Sequence, residues 1–162
     1  MKLAVEFPHT LAERGVEEVA AFAQAAERIG FDQLDTFDHV VMAFPADGRA
    51  AVRPAAGRLE ALATLTYAAA VTEHIGLGTE VLVLPQRQPA LVAQQVATLD
   101  ILSAGRVRLG VGVGWQAPEF EALGIDFHMR GRATDEAIDF LRLCWREHAI
   151  TFEGRFYAAD AV

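Results

Sequence analysis

Strand-like and helix-like segments alternate four times along this chain of 162 residues, and that order is the strongest constraint on its fold. Residues 2–7 read as a short strand ended by Pro8. Residues 16–29 set Val16, Val19, Ala20, Phe22, Ala23, Ala26 and Ile29 on one helical stripe, with Glu17, Glu18, Gln24, Glu27 and Arg28 opposite. Gly30 stops that helix. A second strand covers 32–37, a helix 59–73 and a third strand 75–84. Pro89 opens a helix that runs to Leu102 and is closed by Gly105. The fourth strand is 107–111, and a helix over about 130–146 buries Ala133, Ala137, Ile138, Leu141 and Trp145. Four β–α units in strict alternation predict a parallel sheet with right-handed crossovers. The order alone leaves a doubly wound sheet and a barrel both open.

Polar residues and glycines gather where these strands end. They are Asp35-Thr36-Phe37-Asp38-His39, Gly76-Leu77-Gly78-Thr79-Glu80-Val81 and Leu109-Gly110-Val111-Gly112-Val113-Gly114-Trp115. In parallel α/β folds chemistry sits at the carboxyl ends of the strands. Two connections on that side are long: 40–58, without a clear period, and 115–129. The tail, 150–157, alternates around Glu153-Gly154 and reads as a β-hairpin.

Composition removes several function classes. With 52% hydrophobic and 22% charged residues the chain can bury a core as one domain, 1–162. Its net charge is −8, and Lys2 and the arginines are scattered, so no nucleic-acid partner is expected. No apolar run approaches a membrane span and no charged leader precedes Leu3-Ala4-Val5, so a cytoplasmic protein without a membrane partner is expected. The single Cys144 excludes an internal disulfide and reads as a small core residue. His9, His74, His128 and His148 lie far apart without ligand spacing, so no metal is expected. Glu119 and Glu121 read as a solvated face. Gly110, Gly112 and Gly114 do not make a dinucleotide fingerprint, because the spacing is wrong and no helix opens directly. They read instead as places where missing side chains let a planar ring approach the backbone.

Taken together these motifs resemble the luciferase-like monooxygenase superfamily, in its branch of coenzyme F420-dependent oxidoreductases. The resemblance rests on Gly30-Phe31-Asp32, Asp38-His39, Leu77-Gly78-Thr79 with Val81-Leu82-Val83-Leu84-Pro85, Thr98-Leu99-Asp100 before Ser103-Ala104-Gly105-Arg106, Leu109 to Trp115, Glu119-Phe120 and Phe152-Glu153-Gly154. It implies a parallel (β/α)8 barrel, of which this chain holds about the first four β–α units and a hairpin. It implies F420 as cofactor, with FMN as the alternative, and a small-molecule substrate. His39 becomes the candidate acid/base, since hydride transfer to a carbonyl or imine leaves a proton to be supplied. Asp38, Thr79, Glu80, Val81, Gly112, Val113, Gly114 and Trp115 become candidate cofactor contacts. Relatives carry a non-proline cis peptide at the position of Glu80-Val81. Sugar-phosphate dehydrogenases of the superfamily carry glutamate at the position of Trp115 and asparagine at that of Pro118, so a different substrate is expected here.

Family members are roughly twice as long, about one full barrel. A half-barrel has two open parallel edges, which need cover. Either a missing C-terminal half supplies it or two copies pair as a homodimer, and a non-catalytic assembly unit is the reading from another class. The loops after strands 7 and 8, which commonly grip phosphate, lie outside four units.

Overall fold

A computed structural model describes residues 1–8, 11, 14–46, 49–54 and 59–162, with the backbone alone for 42–46 and 49–54. In chain order the elements are β1 (Ala4–Glu6), α1 (Val16–Ile29), β2 (Gln33–Thr36), β3 (Val41–Ala46), β4 (Arg49–Pro54), α2 (Ala61–Val71), β5 (Gly76–Thr79) and β6 (Leu82–Val83). They continue with α3 (Pro89–Leu102), β7 (Val107–Arg108), β8 (Val111–Gly112), α4 (Ala117–Ala122), α5 (Arg130–Cys144), β9 (Phe152–Glu153) and β10 (Ala158–Ala159). Short 3-10 turns cover Leu84–Gln86 and Phe127–Met129.

Strands β1, β2, β5 and β7 form one parallel sheet in that order, with Leu34 opposite both Val5 and Leu77, and Leu77 opposite Val107. Side chains alternate between the two faces of a strand. Leu34 and Leu77 accordingly enter a core with Val19, Ala23 and Ala26 of α1 and Leu65, Ala68 and Ala69 of α2, while Val5 and Val107 pack against it. The intervening Gln33, Asp35, Gly76, Gly78 and Arg108 line the other face, where Arg108 Nη2 donates to Asp35 at 3.2 Å. A Cβ on Gly78 would fall on the Asp35 carboxylate and the Gln33 amide, so this position needs glycine for room. A second core joins Leu82 and Leu84 to Val92 and Val96 of α3 and Ala137 and Leu141 of α5.

The helix at 16–29 has the expected bounds, and Gly30 ends it at φ 97, donating its N–H to Ala26 and Glu27. Its stripe is narrower than expected, since Val16 and Ile29 are exposed. In α5 Phe140 and Thr134 are buried, whereas Trp145 is half exposed and donates Nε1–H to the Ala93 carbonyl at 3.1 Å. Strand 75–84 is divided by a cis Glu80–Val81 peptide, and strand 107–111 is divided before β8. Beyond both breaks β6 and β8 pair in parallel.

Three connections differ from expectation. Part of 40–58 is an antiparallel ribbon of β3 and β4, with Val41 opposite Pro54 and Ala46 opposite Arg49. Its alanine-rich strands carry no alternation to reveal them. Residues 47–48 and 55–58 lie outside the described residues, as does His9. The 115–129 segment contains α4, with Pro118 in its first turn. The tail hairpin is wider than expected: β9 pairs with β10 and Gly154 N–H donates to Tyr157 O at 3.0 Å. Cys144 is half-buried against the second core, and burial pushes its thiol up.

Two carboxylates and one guanidinium tie the elements together. Glu27 accepts the N–H groups of Glu73, His74 and Ile75, joining α1 to the α2–β5 turn. Glu136 does the same for Arg155, Phe156 and Tyr157 in the tail. Arg106 uses all five of its N–H donors: Nε to Ser103 O at 2.6 Å, Nη1 to Thr72 Oγ1 and Ile75 O, and Nη2 to Ala69 O and Thr72 O.

Burial works against the charges of Glu27 and Glu136, but the three amides on each outweigh it and hold both below their ordinary value of 4.5. A depressed folded-state pKa stabilises above the unfolded value and loses that contribution as pH falls through the folded one. The Tm of the wild type is therefore expected to drop faster below about pH 4.5 than that of E27Q/E136Q. Parallel Tm curves from pH 6 to pH 3, followed by circular dichroism, would refute this.

Candidate active site at the carboxyl ends of the strands

Strand β2 delivers Asp38 and His39 to the rim, and their surroundings differ sharply. Asp38 is 3% exposed. Its Oδ2 accepts Val83 N–H at 3.0 Å and Arg87 Nε–H at 3.1 Å, and its Oδ1 accepts Arg87 Nη2–H at 2.7 Å. Arg87 also reaches Glu60 Oε1 at 2.8 Å. The carboxylate thus locks the end of β2 to β6 and to the turn before α3. Burial works against the Arg87 charge, but the bond to Asp38 and the nearby carboxylates hold its pKa above the usual value.

The His39 side chain is 15% exposed, and its Nδ1 lies 3.2 Å from Glu119 Oε2. Glu119 is 0% exposed, and its Oε1 accepts Val40 N–H at 2.9 Å and Val41 N–H at 3.3 Å. The expected solvated face is corrected here: α4 turns Glu119 and Phe120 inward and leaves Glu121 outside. Burial opposes its charge, but the His39 contact and the Val41 amide hold it below the ordinary carboxylate range. Phe37 and Trp115 stand edge-on to the imidazole, with centroids at 6.0 and 6.4 Å.

Trp115 is 72% exposed, so it is not packed beneath the 115–129 segment. Val81 and Val113 are also exposed, giving apolar surface at the same end of the sheet. Glu80 is exposed and its N–H donates to Thr36 O at 2.7 Å. Thr79 is buried and donates its hydroxyl to Gly110 O at 2.7 Å. Room beside the glycines is taken by the chain itself. A Cβ on Gly110 would fall on the Thr79 carbonyl, one on Gly112 on Val81, and one on Gly114 would lie 2.7 Å from Val83. Those glycines let β8 and the following turn close onto residues 79–83. Gly114, at φ 73, also offers its carbonyl to Arg130 Nε at 3.2 Å.

Of the residues singled out in the sequence, His39, Val81, Val113 and Trp115 present surface at this end, while Asp38 and Thr79 support from beneath. Sequence reasoning missed Glu119, Arg87 and Glu60, whose partners lie 80, 49 and 27 positions away and leave no local pattern. Among the described residues no group of three or more His, Cys, Asp or Glu side chains could hold a metal, and no helix is long and apolar enough to cross a membrane.

A family model described as luciferase-like monooxygenase matches residues 1–162. An F420-dependent glucose-6-phosphate dehydrogenase of Kineococcus radiotolerans is 36% identical over 144 residues, covering 86% of this chain and 40% of that protein. The monooxygenase RslO1 of Streptomyces bottropensis superposes with a TM-score of 0.84 at 27% identity, over 100% of this chain and 48% of that one. An F420-dependent secondary alcohol dehydrogenase, solved with an F420-acetone adduct, superposes with a TM-score of 0.76 at 25% identity, again over 100% and 48%. The chain therefore spans about half the length of these relatives. Its parallel sheet and crossover helices are about half of a barrel of their type.

Proposed function

Because the chain belongs to the luciferase-like monooxygenase family, we propose that it forms part of an oxidoreductase moving a hydride between coenzyme F420 and a small organic substrate. The observation that carries this reading is His39, an imidazole braced by a buried carboxylate at the carboxyl end of a parallel sheet. Hydride transfer at a carbon bearing oxygen needs a partner for the oxygen's proton, and an imidazole can both accept and donate one.

The residues present fit a planar deazaflavin: Val81, Val113 and Trp115 offer exposed apolar surface, and a proton-handling nitrogen lies beside the indole. When bound, F420 supplies the hydride donor or acceptor. The chain's own work is to orient ring and substrate, shield them from water and hold the proton. Support for F420 comes from the Kineococcus dehydrogenase and the alcohol dehydrogenase, both F420-dependent. Trp115 and Pro118 stand where the resemblance puts glutamate and asparagine in sugar-phosphate enzymes, which favours an uncharged alcohol or carbonyl substrate. A second reading, a monooxygenase using reduced FMN, is favoured by the superposition on RslO1.

Fluorescence titration separates the two. F420 is expected to bind this chain in preference to FMN, but at least about a hundredfold more weakly than it binds the full-length Kineococcus dehydrogenase. Each lost phosphate contact is worth about 1.5–3 kcal/mol, and two of them amount to roughly a hundredfold. Tight FMN binding without an F420 response would replace the first reading by the second.

A further inference from the structure

We infer that Glu119 is a positioning residue that fixes the tautomer of His39, so that Nε2 is the nitrogen which accepts and returns the proton. The consequence for chemistry rests on the function proposed above; the tautomer itself does not. An ionised carboxylate only accepts hydrogen bonds. Glu119 is held ionised although fully buried, and its Oε1 is already committed to the Val40 and Val41 amides. Its Oε2 must then accept a hydrogen bond from His39 Nδ1–H, 3.2 Å away. Neutral His39 is the Nδ1–H form, and its lone pair sits on Nε2 at the far side of the ring. Phe37 and Trp115 stand steeply inclined to the imidazole plane, at 69° and 86°.

In the oxidative direction a bound deazaflavin would be the oxidant, taking the substrate's C–H electron pair as hydride. The alcohol O–H proton passes to Nε2 as the C=O bond forms. In the reductive direction Nε2–H gives the proton back to the new alkoxide. Loss of Glu119 would place a proton on the wrong nitrogen and remove the acceptor needed for oxidation.

The test is a long-range 1H–15N correlation spectrum of the 162-residue chain at about pH 8.5, where an ordinary imidazole is neutral, with His39 assigned by its loss in His39→Ala. In the wild type, Nε2 is expected to show the shift of an unprotonated nitrogen and Nδ1 that of a protonated one. In E119Q the amide oxygen is still claimed by the Val40 and Val41 N–H groups, so the NH2 faces Nδ1. Neutral His39 is then expected to flip to Nε2–H. A purely structural Glu119 would change the melting temperature of E119Q and leave the tautomer alone, and that result would overturn the inference. So would an Nε2–H wild type, which needs no variant to be informative. Failure of F420 to bind would count against the proposed function and leave this spectrum unchanged.

Discussion

Replacement of Asp38 by alanine is expected to destabilise the protein by about 3–5 kcal/mol, because it leaves the buried Arg87 guanidinium only the part-exposed Glu60 as a counter-charge. Both carboxylate oxygens are engaged, and one also satisfies the Val83 amide, so the variant loses a charge pair and orphans a backbone donor. Glu60 touches the same guanidinium from a side chain 43% exposed, where solvent screens it. Glu60→Gln, which removes the charge and keeps an oxygen to cap α2 at the Ala63 N–H, is therefore expected to cost about 1 kcal/mol or less. Urea denaturation of the two variants side by side is the measurement. Equal losses would mean that the fork between β2 and the turn before α3 is not what holds the rim.

Arg106→Ala is expected to cost about 3 kcal/mol, read as a fall in Tm of roughly 6–12 °C. Five carbonyl and hydroxyl acceptors around the ends of α2 and α3 converge on one planar cation, and no other side chain presents five donors in that geometry. Arg106→Lys keeps the charge and is expected to recover less than half of the loss, since an ammonium cannot span Ser103, Ala69 and Ile75 together. Full recovery by lysine would show that charge at the helix ends is what matters there, and the fork would not be.

The fold was legible where burial has a period. The α1 stripe and Gly30 define a helix end to end, and Pro89 marks the start of α3. The alternation of units was enough for a parallel sheet, and the choice of a barrel needed resemblance. The ribbon of β3 and β4 was not legible, because the residues of 41–46 and 49–54 show no apolar alternation in the sequence. Half of the candidate site showed itself as special residues at strand ends. The other half did not, because Glu119 and Arg87 act through partners far along the chain and carry no signal until the chain is folded. Glu119 in particular looks like one of two surface acids until α4 turns one of them inward.

The salt bridge that crosses Gly78 does something a hydrophobic pattern cannot. Displacing a strand by two residues returns every apolar side chain to its own face, so burial alone scarcely distinguishes the native stagger from its neighbours. Asp35, Gly78 and Arg108 lie in one row across three strands, and the missing side chain in the middle lets the outer two meet. A two-residue displacement of β2 would separate the charges by about 6.6 Å along the sheet. The pair then acts as an indexing pin. It adds little to the depth of the native well, being largely exposed on the Arg108 side, but it marks which of several equally greasy alignments is the right one. The rim residues on β2 and those that follow β5 and β7 keep their relative height only in that alignment.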